Sequence, residues 1–484
     1  MKKYLLLLTF LLSGSMIQAI DFSPRAISVY NHLFTLYFDS AQVAFDELKV
    51  REPNNRIDGY LSHTRLFLDL FTSEDPKVFE ERKDEFETYL YRVRQEANRN
   101  PTSYYCEAEM LLQEASIYAK FGETFTAGRR ALAAYEVAEV LNEEHPEFGP
   151  GTFLLGLVEV GLGSLPGSYR WIIGVFGYNG DISQGLEHIK SGYAASVTDY
   201  PHFTVPFAFT NGYAVYQLGL KPDLRISQLG VNSHQSILLL FLESSLLISQ
   251  SHNAEALKLL EQRPVEGVLD FPYLHYMEGR ARLSVFDEDC LKNFDKYLET
   301  YKGKHYIKST YRYLLWADQI WNEGRSSWQY RDWIKNRGSQ YMGADKQAIL
   351  ELNEPLTLPL LKARLAFDSG DYDLAMKHLE NTNMKEAEWY SKVEYAYRKG
   401  RVFEGKKDYK SAAQWYLKAL SENAQRDTYQ GASASIHLGL LNENQFKDNQ
   451  KAASFYSLGM SFSGYPYYPG MYRRAKAGYE RNSD

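Results

Sequence analysis

Cysteine is nearly absent: Cys106 and Cys290 are the only two in 484 residues. They are far apart and show no CxxC spacing, which argues against zinc and thiol redox chemistry and leaves buried thiols as the better reading. An excess of basic charge is also missing. The formal net charge is −7, and nucleic-acid binders normally show a basic surface. Long apolar runs are scarce as well. After the first twenty residues the longest is Ile237–Ile248, "ILLLFLESSLLI", too short for the roughly eighteen residues of a membrane span and interrupted by Glu243. A buried helix is expected there.

Motifs of catalysis are equally thin. The eleven histidines contain no HExxH, and His252, His275 and His305 fall in different predicted elements. No G-x-S-x-G elbow occurs. The glycine-rich stretch 161–181, "GLGSLPGSYRWIIGVFGYNGD", has Gly161 and Gly163 of a dinucleotide fingerprint, but Pro166 stands where the third glycine belongs and removes an amide. No lysine lies between Gly151 and Lys190, so a Walker loop is excluded too. The expected structure is a helix stop at 163–167, a short aromatic helix and a second turn. Trp171, Ile172, Ile173 and Phe176 form a docking surface only if they are exposed. Acidic clusters such as "SEDPKVFEER" read as helix ends, with Ser73 as the expected N-cap. No cofactor, metal or catalytic residue is predicted.

What is present begins with residues 1–19, "MKKYLLLLTFLLSGSMIQA". Two lysines, an apolar run and a small terminal alanine have the layout of a secretory signal peptide. Loss of Lys2 and Lys3 takes the net charge of −7 to about −9. No cysteine follows to accept a lipid, so a periplasmic location is expected, with a secreted or outer-membrane-associated one as the alternative.

The remaining chain is rich in tyrosine, with 38, and it repeats. Three segments align on Ala375, Ala412 and Ala452, each followed four residues later by a large side chain: Leu379, Tyr416 and Tyr456. Residues four apart share a helix face, so the small one admits a neighbouring helix and the large one fills the groove beside it. A looser copy carries Gly279 and Phe294, with Cys290 in place of the alanine. The last unit needs one inserted residue, expected near Asp448–Gln450. The N-terminal half keeps helical periodicity, with a small-residue face at Ala127, Ala131, Ala134 and Ala138.

In the middle unit, Gly400, Phe403, Tyr409, Ala412, Tyr416 and Ala419 resemble the signature of the tetratricopeptide repeat. "YLHYMEGRARL", "YKGKHYIKSTYRYLLW" and "RRAKAGYERN" are similar to segments of a family of secreted tetratricopeptide proteins from Bacteroidota whose function is not established. The resemblance implies an all-α solenoid of helical hairpins wound as a superhelix. The expected organisation is a signal peptide at 1–19, diverged helical repeats at 20–230 and a tetratricopeptide-like array at 231–484.

Aligning the units places an arginine directly after the Gly or Ala signature in three of them: Arg280, Arg364 and Arg401. In tetratricopeptide arrays this position points into the concave groove. Tyr276 and Tyr397 precede two of the arginines by four residues, one turn away on the same face. These five residues are the candidate partner-binding set, with the arginines as bidentate receptors for carboxylates of a protein or peptide. The competing expectation is that the arginines pair internally with Glu278, Glu394 or Glu404. An intervening unit around 313–334 is also expected to separate Arg280 from Arg364. The leading functional reading is a non-catalytic protein-interaction scaffold of the cell envelope. The alternative is a glycan- or nutrient-binding protein resembling starch-utilisation surface lipoproteins, with Trp321, Trp328 and Trp333 stacking on sugars.

Overall fold

The structure is a computed structural model that describes residues 20–96, 99–163, 181–218, 232–424 and 426–483. The expected signal peptide and the aromatic segment with Trp171, Ile172, Ile173 and Phe176 lie outside the described residues. Among the described residues there are 24 α-helices and no β-strand. Successive helices pack as antiparallel pairs, so the chain is an all-α solenoid of helical hairpins.

The order opens with α1 (Pro24–Phe34), α2 (Phe38–Arg51), α3 (Asp58–Ser73), α4 (Pro76–Arg82) and α5 (Asp84–Arg94). Three long helices follow: α6 (Pro101–Lys120), α7 (Thr124–Glu144) and α8 (Gly149–Gly163). Next come α9 (Ile182–Asp199), α10 (Thr204–Leu218), α11 (Ile237–Ser249) and α12 (Asn253–Glu261). The expected buried helix is α11, where Ile237 through Leu242 are all buried.

Hairpins then alternate. α13 (Tyr273–Ser284) pairs with α14 (Cys290–Thr300), and α15 (Ile307–Trp321) with α16 (Ser327–Asn336) and α17 (Gly343–Asn353). α18 (Leu358–Ser369) pairs with α19 (Tyr372–Glu380), and α20 (Trp389–Gly405) with α21 (Tyr409–Asn423). The array closes with α22 (Tyr429–Leu441), α23 (Asn449–Ser461) and α24 (Tyr468–Asn482).

The repeated small and large residues are the seams of these hairpins. Ala375, Ala412 and Ala452 have no exposed surface, and Leu379, Tyr416 and Tyr456 are buried beside them. A Cβ on Gly400 would lie 2.6 Å from the Tyr416 ring, and one on Gly279 equally close to Phe294. Only glycine lets the aromatic of the second helix seat against the first. The second helices of the three aligned units are also started in the same way: Asp371, Asp408 and Asp448 accept backbone N–H bonds from Leu374, Ser411 and Lys451. An aspartate N-cap satisfies one of the orphan donors of a helix start.

The extra residue of the last unit is not at Asp448–Gln450. It is absorbed earlier, in a π-helical turn over Asn442–Phe446 that ends at Lys447 in the left-handed region, φ 57°. A π-turn takes up one additional residue without breaking the helix, so the Asp448 cap keeps its place. The N-cap near residue 75 also differs from expectation. Ser73 is the last residue of α3, and Asp75 caps α4 by accepting from Lys77 and Val78. Its carboxylate stands directly before Pro76, the N1 position at which proline is tolerated.

Gly156 of α8 faces α9 so closely that a Cβ there would lie 2.5 Å from the carbonyl oxygen of Gly185. The glycines therefore bring two helices into contact, and α8 is helical through Gly163.

The superhelix is wound tightly enough that its later turns lie on its earlier ones. Ser236 Oγ donates to the carbonyl of Phe34 at 2.6 Å, and Leu269 N to that of Leu36 at 2.7 Å. α24 packs on α10, and Lys476 Nζ donates to the Gly163 carbonyl at 3.2 Å. The main apolar core accordingly includes residues from Ile20 to Leu365, on both sides of position 230.

Candidate functional site

The first helices of the C-terminal hairpins, α13, α15, α18, α20 and α22, pack side by side. Their residues are covered on nearly every face: Lys308 through Asp318 of α15 are all buried. This inner layer carries an unusual amount of charge for its depth.

Arg280 lies one turn after Tyr276, as expected from the spacing. Its guanidinium carbon is 5.7 Å from the Tyr276 ring centre and 5.8 Å from that of Tyr313. Arg401 donates through Nη1 to the Tyr397 hydroxyl at 3.1 Å and lies 4.8 Å from the centre of the Phe367 ring. Both tyrosines are buried and tied to the next first helix, Tyr276 to Ser309 Oγ at 2.8 Å and Tyr397 to Ser433 Oγ at 2.9 Å. Arg364 is placed differently. Its Nη1 is 2.9 Å from Glu351 Oε1, and its guanidinium covers the Trp316 ring at 4.8 Å.

The intervening unit does not separate the arginines. α13 touches α18 directly, and α15 inserts side chains between them. Arg312, fully buried, lies 5.0 Å from the Tyr313 ring centre and 4.8 Å from that of Trp316. Tyr313 and Trp316, themselves in edge contact at 5.2 Å, thus form the aromatic floor shared by Arg280, Arg312 and Arg364. Arg398 completes the group through its 2.7 Å pair with Glu394.

The acids expected as internal partners make their short contacts with other residues, although Glu394 still acts electrostatically on Arg364 and Glu404 on Arg401. Glu278 is held by Arg263 and Arg282, Glu394 by Arg398, and Glu404 by His437 and Tyr416. Among the described residues no carboxylate lies within ion-pair distance of Arg280 or Arg401; from beyond that range Asp368 acts on Arg280 and Glu404 on Arg401. Both arginines keep part of their surface open.

Titration behaviour reflects the surplus of positive charge. Burial alone raises the pKa of Tyr313, but Arg280, Arg312 and Arg364 outweigh it and pull the phenol below its usual value. For Glu394 burial also works upward, and Arg398 and Arg364 overcome it, so the carboxyl stays ionised. The arrangement is an aromatic-lined positive field in which two guanidinium groups have no carboxylate within ion-pair distance among the described residues. Such groups suit bidentate recognition of a carboxylate.

Arg312, Tyr313, Trp316, Glu351 and Asp368 were not among the residues singled out from sequence. The run "YRYLLW" at 311–316 places an arginine and three aromatics within one and a half turns, and that is the trace they leave.

Elsewhere, His252, His275 and His305 are engaged separately, by Glu255, Arg263 and Glu74. Trp328 is exposed, whereas Trp321 and Trp333 are half-buried, with Trp333 packed on Tyr311 and Tyr330. Among the described residues no cluster of three or more His, Cys, Asp or Glu side chains fits a metal ion, and no helix is long and apolar enough to cross a membrane. No protein-family model matches the chain, and no curated protein matches it.

Proposed function

We propose that the chain is a non-catalytic, tetratricopeptide-like binding protein of the cell envelope, exported by cleavage of residues 1–19. It grips a carboxylate of a protein or peptide partner at the wall formed by Arg280, Arg364, Arg401, Tyr276 and Tyr397. The observation that carries this reading is the pair Arg280 and Arg401. Each sits deep in the inner layer against aromatic rings, with no carboxylate within ion-pair distance among the described residues. Each keeps part of its surface open, and a ligand carboxylate gains charge-assisted hydrogen bonds from such a guanidinium. The wall receives an acidic side chain or a chain terminus, because a carboxylate is the group that a guanidinium binds in bidentate fashion.

The test is photo-cross-linking in cells from position 273, on the same helix as Arg280, with the captured species read by mass spectrometry. Arg280→Met with Arg401→Met is expected to abolish capture of one defined envelope protein. If the folded double variant captures that protein as well as the parent does, the reading is wrong.

A further inference from the structure

Ile20, the residue after the expected cleavage point, behaves as an anchored terminus. Its side chain has no exposed surface and belongs to the main core. Its backbone nitrogen donates to Glu96 Oε1 at 2.9 Å, and its carbonyl accepts from Asn100 Nδ2 at 3.1 Å. Asn100 is itself fixed, because its other side-chain atom caps α6 in a reciprocal box with Ser103. Asp21 is held in turn by Asn55, which accepts from its N–H at 3.3 Å and donates to its carbonyl at 2.9 Å.

The seat is incomplete for an ordinary peptide N–H. Glu96 Oε2 is buried without a hydrogen-bond partner, and no cation is paired with this carboxylate among the described residues. A peptide nitrogen has one hydrogen and no charge. An α-ammonium has three hydrogens and a full positive charge, enough to engage both oxygens and neutralise the acid.

We infer that Glu96 is the receptor for a new α-ammonium at Ile20, generated by processing, so that cleavage completes the fold of the N-terminal hairpins. The proposal rests on the export reading, with cleavage between Ala19 and Ile20. An endopeptidase of the export machinery hydrolyses that bond with one water: Ala19 leaves with the new carboxylate, and the released Ile20 amine takes up a proton. The ammonium then pairs with Glu96 where the peptide N–H stood.

The experiment uses the exported protein purified from its own envelope. Intact mass first reads the terminus. The rate of modification of the Ile20 amine by an amine-selective acylating reagent is then compared in the folded and urea-unfolded chain, by mass spectrometry of the N-terminal peptide. The expected result is a mass beginning at Ile20 and a folded-state rate at least about tenfold lower than the unfolded one, since a paired and buried ammonium is a poor nucleophile. Glu96→Gln is expected to bring the folded rate toward the unfolded value with unchanged helical circular dichroism. A terminus elsewhere overturns the export-based cleavage and the proposal with it. A terminus at Ile20 whose amine reacts equally fast folded and unfolded overturns the pairing alone, and this comparison needs no variant.

Discussion

Tyr301 donates its hydroxyl to Glu74 Oε2 at 2.7 Å across 227 residues of sequence. Glu74 caps α3 in the left-handed region, φ 51°, and also receives His305 Nδ1 at 2.5 Å and Lys120 Nζ at 2.6 Å. One carboxylate therefore ties the N-terminal hairpins to the C-terminal array. This is a long-range clasp in a fold whose repeats otherwise contact mainly their neighbours.

The clasp makes stability acid-sensitive. Burial raises the Glu74 pKa, but His305 and Lys120 outweigh it and bring it down to about 2 from 4.5. A carboxyl with a depressed folded pKa stabilises the fold fully above its unfolded value, and that contribution is lost as pH falls from about 4.5 toward 2. At about 1.4 kcal/mol per pH unit it amounts to roughly 3 kcal/mol. Urea unfolding from pH 7 to pH 2.5 is expected to show this loss, and Glu74→Gln to lower stability at pH 7 while flattening the acid slope. A variant with the parent's acid slope would rule the clasp out as its source.

The glycines at the hairpin seams carry two opposing effects that can be weighed. Alanine at a helix interior gains about 1 kcal/mol over glycine from propensity. At Gly400 the new methyl lands 2.6 Å from the ring of Tyr416, which is fully buried and hydrogen-bonded to Glu404. Overpacking of this kind costs about 1–3 kcal/mol. Gly400→Ala is thus expected to be net destabilising, as is Gly439→Ala against Tyr456 at 2.7 Å. Gly470 has open space around its Cβ position, so Gly470→Ala is expected to be neutral or stabilising. Thermal melts of the three variants separate the effects.

Local spacing made the hairpins legible, because a four-residue interval fixes a helix face wherever the chain is helical. Ala412 and Tyr416 needed nothing else to be assigned to a seam. The Tyr276–Arg280 and Tyr397–Arg401 contacts followed from the same interval. What spacing does not carry is the partner across the fold. Glu351, which holds Arg364, lies on α17 of the unit expected to interrupt the ladder. Arg312 and Trp316 reach the arginines only because α13 and α18 meet around α15. The π-turn at Asn442–Phe446 was misplaced by six residues at its start for a related reason. Alignment detects an extra residue but not where the backbone absorbs it.

The two thiols are expected to be inert in the native chain. Cys106 and Cys290 are free and buried. Burial, reinforced by Asp287 and Glu288, pushes Cys290 up to about 12, and burial raises Cys106 as well. The thiolate is the reactive species, so a disulfide reagent at pH 8 is expected to titrate both thiols only after unfolding. Rapid labelling of the native protein would contradict this.

The arginines of the wall are expected to separate into two kinds by stability. Arg364→Met removes a 2.9 Å partner from buried Glu351 and leaves Arg312, 3.5 Å away, as its remaining cation. Stranding a buried carboxylate typically costs 3–5 kcal/mol, and the nearby Arg312 brings the expected loss to about 2–3 kcal/mol. Arg280→Met strands no carboxylate within ion-pair range. It forfeits cation–π contacts with Tyr276 and Tyr313, about 0.5–2 kcal/mol, and gains an apolar side chain that suits the rings. Denaturant midpoints should therefore fall further for Arg364→Met than for Arg280→Met, whereas partner capture is lost in both. The opposite order would mean that Arg280 is satisfied internally, and the wall would then lose the cation on which carboxylate binding depends.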